Sequence, residues 1–520
     1  MILPVAFSVL NRSTRVAASA VASALLLAAG CSSVQPQPVS ADEIRASSQT
    51  AASAARDGVV PLSGSLSLDE ALARGLKYNL AQRARLVEQA IALNVWKAGN
   101  YDMLPRAMAL AGYRTRDKEL ITRSKDSVTG APSLANPFIS SEREYGLYDL
   151  GLSWSILDFS VGYFNAKQNA DRVLIAAEQR RKAMHALSRD ITVAFWRMAS
   201  AQRLREDVAR TIADAESALA DAAQANAESL RSPVDNLRYQ RQILENIRLL
   251  SNIDKEFATA RMTLASLVNL PLDTPFTVVE PEAAAPSIAI LDVPVERLEE
   301  LALLRNADLK EHLYNERVAA QEVRKALARL LPNLSLNYNL KYSTDDYLIN
   351  QRWSEAGALV SQNLTSLLSV PAQKRIATAG VDLARQRRIA AQMAMLTQVH
   401  LARLELASSC RQLQLADRIW DLDQGIKRHT ANREQAQADS KLTRVAADTA
   451  SIVSMLRRYQ ALAEFNSAVG ALQSTLGMEI DLDSVSESSL DDLTTTIRQW
   501  RREWESGQLP AAAAPAPASS

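Results

Sequence analysis

Residues Asn333 to Ser343 alternate strictly between polar and apolar side chains. The apolar members are Leu334, Leu336, Tyr338, Leu340 and Tyr342. A period of two residues predicts a β-strand with one apolar face and one polar face. About ten tilted residues are also enough for a strand to cross the hydrocarbon layer of a membrane. A strand of a soluble β-sandwich would show the same alternation, so the rest of the chain has to decide between the two.

Weaker forms of this alternation predict three more strands, over residues 104–114, 145–157 and 354–364. In the second of them, every other residue from Gly146 to Ile156 lies on one largely apolar face, and Leu147 interrupts the polar face. In the last, an apolar face runs from Ala356 to Leu364 but is interrupted by Gln362. The sequence therefore predicts four strands, arranged as two pairs.

Long helices are predicted on both sides of each strand pair. Residues 163–270 contain no glycine and one proline, Pro233. Because glycine and proline commonly end helices, this stretch predicts two very long helices joined at residues 231–234. Their lengths of about 65 and 35 residues correspond to about 100 and 50 Å. Ser67 is a candidate N-cap for an earlier helix, and residues 371–476 predict a later helical stretch. That stretch is expected to be interrupted by Gly380, Gly425 and Gly470.

The same order of elements occurs twice along the chain. Leu76–Asn79 is echoed by Leu303–Asn306, and Leu104-Pro105 is echoed by Leu331-Pro332. Such self-similarity indicates two internal repeats. The predicted domains are a signal peptide (1–30), a lipidated flexible leader (31–65), a first repeat (66–270), a Pro-rich linker (271–294), a second repeat (295–477) and a C-terminal segment with a short helix and a disordered tail (478–520).

Composition and charge exclude several classes of function. The net charge is +1 with 22% charged residues, so the chain lacks the excess of positive charge that is typical of nucleic-acid-binding proteins. Cys31 and Cys410 are the only cysteines, too few for a disulfide framework or a cysteine zinc site. The four histidines are scattered, and no phosphate-binding glycine loop or nucleophile motif is present. The sequence therefore predicts no enzyme, no metal site and no cofactor.

The first 31 residues resemble a bacterial lipoprotein signal. Arg12 and Arg15 precede an apolar run, Val16–Ala29, that is too short to span a membrane and ends just before Cys31. In such proteins the cysteine becomes the lipidated first residue of the mature chain. Ser32 follows, and a residue other than Asp at that position generally accompanies sorting to the outer membrane. The alternative interpretation is an ordinary signal peptide with a cysteine there by chance.

Four membrane-crossing strands cannot close a barrel within one chain. An open sheet edge in lipid would leave backbone groups unpaired, at several kcal/mol each. Three copies would supply twelve strands, enough for a lumen wider than that of a filled eight-stranded barrel. The predicted fold is therefore mainly α with a transmembrane β-barrel contribution. A homotrimer would close a twelve-stranded barrel, and the long helical hairpins would form an α-barrel below it.

This organisation resembles the TolC-type outer-membrane efflux family over residues 66–480. The resemblance rests on Ser67–Ala71 with Asn79, the two Leu-Pro pairs, Leu152–Phe159, and Glu464-Phe465 leading to Leu476-Gly477. It implies a trimeric exit duct in the outer membrane, lipid-anchored at Cys31, with helices in the periplasm. It also implies two protein partners, a periplasmic adaptor and an inner-membrane pump, which would deliver small toxic compounds for passive export. No nucleic acid partner is expected.

Two groups of residues are candidates for function. The candidate pore-lining residues lie on polar strand faces: Asp149, Asn337, Asn339 and Lys341. Mere solvation of a lumen would explain them equally well. The candidate residues for gating or adaptor contact lie at the predicted helix turns: Arg231, Asp235, Lys441, Arg444 and Asp448. Charged turns are common on any helical hairpin, so ordinary surface ion pairs are the alternative.

Several departures from the family pattern leave other functions open. The turns at 228–235 and 439–445 lack the usual glycines, and only Asp448 is a counterpart of the acidic pair that narrows the entrance in well-known members. A duct for type I protein or polysaccharide secretion would have the same architecture. A periplasmic coiled-coil adaptor or spacer lipoprotein would keep the helices but would not need strands with one apolar face.

Overall fold

A computed structural model describes residues 36–62, 64–132, 137–227, 233–281, 289–478 and 488–509. Contacts divide the chain into two compact units. The sheet unit comprises Met1–Ala51, Lys97–Lys167 and Gln321–Ala377. The helical unit comprises Ala52–Trp96, Gln168–Ala320 and Thr378–Ser520.

Helices make up most of the described chain. Their bounds are α1 Ala41–Arg56, α2 Leu68–Tyr78, α3 Leu80–Gly99, α4 Ile156–Ala227, α5 Pro233–Leu267, α6 Val295–Arg305, α7 Ala307–Ala328, α8 Leu364–Gln435, α9 Lys441–Leu476 and α10 Leu490–Glu505. Helices α4 and α8 have 72 residues each, which corresponds to about 108 Å. No helix in these ranges is both long and apolar enough to cross a membrane.

The strands of the described chain form three sheets. Their bounds are β1 Ser65–Ser67, β2 Arg106–Thr115, β3 Ile121–Thr122, β4 Phe138–Ile139, β5 Glu144–Ser155, β6 Thr277–Val279, β7 Asn333–Ser343 and β8 Arg352–Ser361. The main sheet is antiparallel, with strand order β2-β5-β7-β8. Strands β1 and β6 pair in parallel, and β3 and β4 form a short hairpin within the predicted loop 114–144.

The sequence pattern explains the faces of the main sheet. Residues paired across an antiparallel ladder point to the same side, and Leu150 pairs with Leu340 while Leu152 pairs with Tyr338. The alternation in β7 therefore continues across the sheet as one apolar face. This face is not covered within the sheet unit, since Leu150 and Leu340 are 55% and 48% exposed.

Asparagine side chains end the short helices α2 and α6 at equivalent places. Asn79 accepts hydrogen bonds from the N–H groups of Ala81 and Gln82 and donates to the Leu267 carbonyl. Asn306 accepts from the N–H of Leu309 and donates to the Thr475 carbonyl. Each asparagine thus caps the helix that follows it and ties it to the end of a long hairpin. The pattern of leucines after Ser67 predicts one helix as far as Ala98, but the helix is divided at Asn79 for this reason.

Two apolar clusters hold the helical unit together. The larger cluster includes the fully buried Phe195 and Leu250, from α4 and α5. The second includes Leu298 of α6 and Leu472 of α9. Ser67 begins α2 as predicted, since its hydroxyl accepts the N–H of Glu70 at 3.2 Å. The order helix, helix, strand, strand, long helix, helix occurs over α2–α5 and again over α6–α9.

The prediction of a flexible leader over 31–65 is wrong for residues 41–56, which form α1. The segment is rich in alanine, Ser40 accepts the N–H of Glu43, and Asp42 and Glu43 complement the helix dipole at its first turn. Composition suggested a leader because no buried residue marks this helix. The signal peptide, Cys31 and the end of the C-terminal tail lie outside the described residues.

One predicted strand end and three predicted helix interruptions in the second half are also wrong. The strand predicted over 354–364 ends at Ser361, because Gln362 turns away to donate to the Leu330 carbonyl and α8 begins at Leu364. Helix α8 contains Pro371 and is not broken by Gly380 or Gly425. Helix α9 likewise continues through Gly470, and the actual break between the two helices lies at residues 436–440.

Candidate functional site

The four candidate pore-lining residues lie on one face of the main sheet. Asp149 of β5 pairs with Lys341 of β7, and Asn339 and Asn337 follow on the same side of β7. This face is opposite the apolar face, because its residues occupy the alternate positions of both strands. The structure therefore brings all four side chains together; their role in a pore remains a prediction.

The charged residues of this polar face are unequally paired. The Lys341 ammonium binds the Glu355 carboxylate of β8 at 2.6 Å. Asp149, although it is the ladder partner of Lys341, has a carboxylate oxygen without any hydrogen-bond partner in the described chain. One lysine is thus neutralised by one glutamate, and one aspartate is left over.

Two glycines allow the asparagine amides to lie flat on the sheet. Asn339 Oδ1 occupies the space that a Cβ atom at Gly151 would take, and Asn337 Oδ1 lies 2.6 Å from the corresponding position at Gly357. Larger residues at these glycines would push both amides outward. The side chains at the centre of the polar face therefore project only a short distance from the sheet.

Aromatic residues lie near one end of the apolar face. The rings of Tyr148 and Tyr342 stack with centroids 5.8 Å apart, and the Arg352 guanidinium lies 5.2 Å from the centroid of Tyr342. Tyr113 donates to Glu144 at 2.9 Å at the same end. Amphipathic rings with polar partners are common where a membrane-crossing strand leaves the hydrocarbon layer.

A second group of candidates lies in the helical unit, where α4, α8 and α9 meet. Lys441 binds Asp221 at 2.7 Å, and Arg444 binds Asp214 at 2.6 Å, so both residues connect the start of α9 to α4. Arg444 also lies 3.6 Å from Glu434 of α8. A small apolar cluster that includes Ala218, Ile243 and Val445 packs the neighbouring parts of α4, α5 and α9 together.

The remaining candidates of this group differ in burial. Asp448 lies 3.6 Å from Lys427, and burial raises the pKa of its carboxyl, an effect opposed by Lys427 and Arg444. Asp235 is exposed, and among the described residues its ion pair is within its own helix, with Arg238 at 3.7 Å. Arg231 lies outside the described residues. The structure thus brings together Lys441, Arg444 and Asp448, and their functional role stays a prediction.

The chain has the architecture of several solved outer-membrane proteins. It superposes on the Campylobacter jejuni CmeC outer membrane channel with a TM-score of 0.63 and 11% identity, covering 86% of this chain and 90% of that one. It superposes on the outer membrane protein VceC of Vibrio cholerae with a TM-score of 0.59 and 16% identity, covering 79% of this chain and 97% of that one. It superposes on the open state of the Neisseria gonorrhoeae MtrE outer membrane channel with a TM-score of 0.59 and 14% identity, covering 80% of this chain and 90% of that one.

The fold is that of these outer-membrane channels. The resemblance to the TolC-type family inferred from the sequence is therefore confirmed at the level of the fold. No protein-family model matches the chain, and no curated protein matches it in sequence.

Within this channel fold, the sequence missed several residues of both candidate sites. The apolar positions that predict β8 do not mark Glu355 as a member of the polar face. Leu110 pairs with Asp149 and so lies on the polar face, where its side chain is exposed. Asp214 and Asp221 were missed because pairing between distant helices leaves no local signal in a sequence.

A groove of about 380 Å³ lies between α4, α5 and α9 of the channel fold. Its buried lining includes Trp196, Phe257 and Tyr459, and Glu256 and Glu464 lie at its rim. The Tyr459 hydroxyl donates to Glu280 at 2.7 Å, whereas the Trp196 N–H has no partner among the described residues. Within the described chain, no group of three or more acidic, histidine or cysteine side chains is placed to hold a metal ion.

Replacing Asp448 by asparagine is expected to increase the protection of the start of α9 against hydrogen exchange at neutral pH. The raised pKa of Asp448 means that the ionised carboxylate destabilises the folded state. Its penalty is absent below the unfolded pKa of about 4 and develops as the pH rises through the higher folded value. The variant should lack this loss of protection as pH rises, which hydrogen-exchange protection factors of α9 will measure.

The matched control is Asp439→Asn, for which the opposite sign is expected. Hydrogen bonds from Thr443 and from the N–H of Ser440 lower the pKa of Asp439, so its ionised form stabilises this helix start. This variant should lose protection at neutral pH and differ little from the original protein at acid pH. If both variants shifted protection in the same direction, the assignment of burial as the dominant effect at Asp448 would be wrong.

Proposed function

We propose that the chain is one third of a trimeric outer-membrane channel that serves as the exit duct of an efflux system. The observation that carries this proposal is the main sheet, which has an exposed apolar face, a polar face and two outer edges. A soluble protein would cover the apolar face, because burial of apolar surface drives folding. A lipid bilayer covers it instead, with the polar face turned to a water-filled lumen.

The strand order supports closure by identical copies. In the order β2-β5-β7-β8, each strand is antiparallel to its neighbour, so β2 and β8 run in opposite directions. The β8 edge of one copy and the β2 edge of the next can therefore pair antiparallel around a ring. Two copies would give eight strands and a filled interior, whereas three give twelve and leave a lumen.

Exposed apolar residues on α8 support the same assembly. They recur at spacings of three, four or eleven residues along the part of α8 in the helical unit: Leu401, Leu404, Leu415, Ile419, Leu422 and Ile426. Such spacing forms a narrow apolar seam of the kind that helices bury against one another in coiled coils. A neighbouring copy is the occupant of this seam in the proposed trimer, in which the long hairpins form an α-barrel.

Several further features belong to the proposal. Two internal repeats are supported by the repeated order of elements and by the equivalent roles of Asn79 and Asn306. Lipidation at Cys31 would anchor the chain to the outer membrane. Arg231, Asp235, Lys441, Arg444 and Asp448 would contact a periplasmic adaptor or hold the entrance closed. The exported solutes would be small toxic compounds delivered by an inner-membrane pump.

Cysteine cross-linking tests the assembly. In a Cys410→Ser background, Ala109→Cys on β2 is combined in turn with Ser354→Cys, Ala356→Cys or Ala358→Cys on β8. Within one chain these strands are three spacings apart, about 14 Å, so a shorter cross-linker joins only neighbouring copies. At least one pair should give a ladder of products that ends at three chains. A ladder that continues further, or none for any pair, would contradict the trimer.

Planar bilayer recordings test the duct itself. Detergent-purified protein is expected to insert into the bilayer and give discrete conductance steps. Variants that carry only one of the introduced cysteines should give the same steps. A spacer lipoprotein without a pore would give none. Absence of conductance from protein that is trimeric by mass would therefore refute the duct and favour the spacer.

A further inference from the structure

The polar face of the main sheet carries five charged side chains in its strands. Because ladder partners share a side, Arg106, Arg114, Asp149, Lys341 and Glu355 all point to this face. Their sum is positive, but charges act over limited distances in salt solution. The charge that a passing ion meets therefore depends on which groups lie at the same level of the strands.

At the level of Asp149, the negative charge is in excess. Lys341 is held by Glu355 at 2.6 Å, so this pair has no net charge. Asp149 forms no close ion pair among the described residues, and one of its oxygens has no hydrogen-bond partner there. It is attracted to Lys341, but that single ammonium is already bound by Glu355 and so faces two carboxylates. Its ladder partner on β2 is Leu110, which supplies no counter-charge. One uncompensated carboxylate per chain remains.

Both arginines of this face are too far away to neutralise Asp149. Arg106 and Arg114 lie four residues from Leu110 in opposite directions along β2, about 13 Å in each case. This separation exceeds the Debye length of about 8 Å at physiological ionic strength. Arg106 also lies 3.4 Å from Asp158 and is therefore partly compensated.

We propose that Asp149 makes the lumen selective for cationic solutes. The inference rests on the proposed trimeric duct, in which three copies place three uncompensated carboxylates at one level. Rings of aspartate or glutamate attract cations into pores and repel anions. The class of solute that the duct favours is therefore cationic, and the residue that sets this preference is Asp149.

Reversal potentials across planar bilayers test the inference. With a KCl gradient at low ionic strength, the original protein should show a K⁺ to Cl⁻ permeability ratio above one. Asp149→Asn keeps the shape of the side chain and removes three charges, so the ratio should fall by about threefold. Lys341→Gln frees the Glu355 carboxylate, so the ratio should rise.

The matched control is Glu144→Gln, on the same strand but the opposite face, where Glu144 accepts the Tyr113 hydroxyl. It should leave the permeability ratio unchanged. Conductance with an unchanged ratio in Asp149→Asn would refute the role of Asp149 and leave the duct intact. An equal fall in Glu144→Gln would also refute it, because the effect would then not depend on the polar face. Absence of conductance from the original protein would refute the duct itself.

Discussion

Replacing Leu340 by arginine is expected to abolish assembly of the chain in membranes. Leu340 lies near the middle of β7 and pairs with Leu150 on the exposed apolar face. An arginine on the lipid face near the bilayer centre costs about 2–4 kcal/mol, and a trimer carries it three times. The total, roughly 6–12 kcal/mol, is comparable to the whole stability of a typical folded protein. The trimer band on semi-native gels of membrane extracts should disappear.

Asn339→Arg is the matched control for this prediction. This variant also introduces an arginine, at the position next to Leu340, but Asn339 points to the polar face. A charged side chain there meets water in the proposed lumen, so trimers should form at close to the original yield. Equal loss of assembly in both variants would mean that the two faces do not differ in environment, and a transmembrane location of the sheet would be excluded.

Replacing Gly477 by alanine is expected to destabilise the helical unit by about 3 kcal/mol, from a left-handed backbone and a steric overlap together. Gly477 ends α9 with φ of 65°, where a side chain costs about 1–2 kcal/mol. A Cβ atom there would also overlap the Arg305 carbonyl. That carbonyl accepts a hydrogen bond from Arg181 at 3.2 Å, which restricts its movement. Urea denaturation followed by tryptophan fluorescence measures the loss.

Gly58→Ala separates the two contributions. Gly58 has φ of 69°, but no atom lies within 4 Å of the position that its Cβ would occupy. Alanine at this position should therefore cost only the backbone term, about 1–2 kcal/mol. If the two variants lost equal stability, the close packing of Gly477 against Arg305 would contribute nothing.

The strands show when a local pattern is sufficient to predict structure. Strand β7 has the predicted bounds, because its alternation is unbroken and its ends coincide with turns. Strand β2 begins two residues after its predicted start, and β8 ends three residues before its predicted end. In both, small alanines occupy the apolar face, so the alternation in size that marks a boundary is weak. The end of β8 depends on a hydrogen bond from Gln362 to a distant carbonyl, which no local pattern reveals.

The long helices show how tertiary context overrides propensity. A single glycine costs about 1 kcal/mol in a helix interior, and Gly380 and Gly425 have no atoms near their Cβ positions. A helix of 72 residues with apolar contacts along it tolerates this cost. The sequence predicts that this helical stretch begins at Pro371, yet α8 begins earlier, at Leu364. In the sequence, the helix breaks at Asn79 and Asn306 show only as a repeated short motif, because their cause is a hydrogen bond to another helix.

The candidate sites were predictable to different depths. Alternation correctly placed Asp149 on the polar side of β5, and Asn337, Asn339 and Lys341 on the polar side of β7, because a period of two fixes the side of every residue in a strand. It did not identify Glu355 as the partner of Lys341, since register between strands is not a local property. At the helix turns, residue type suggested charged contacts, but Asp221 and Asp214, which bind Lys441 and Arg444, lie more than 200 residues away in the sequence.

The parallel pairing of β1 with β6 has a consequence for how the chain reaches its folded form. Leu66 is fully buried and pairs with Val278, so its burial has to wait until the whole first repeat is available. A chain emerging from its amino end would carry this leucine exposed while more than two hundred further residues follow. Closing so large a loop is slow, because its entropy is lost before the contact is gained. The interval before closure is when a holding chaperone would bind, and a chain truncated before Thr277 should remain dependent on one.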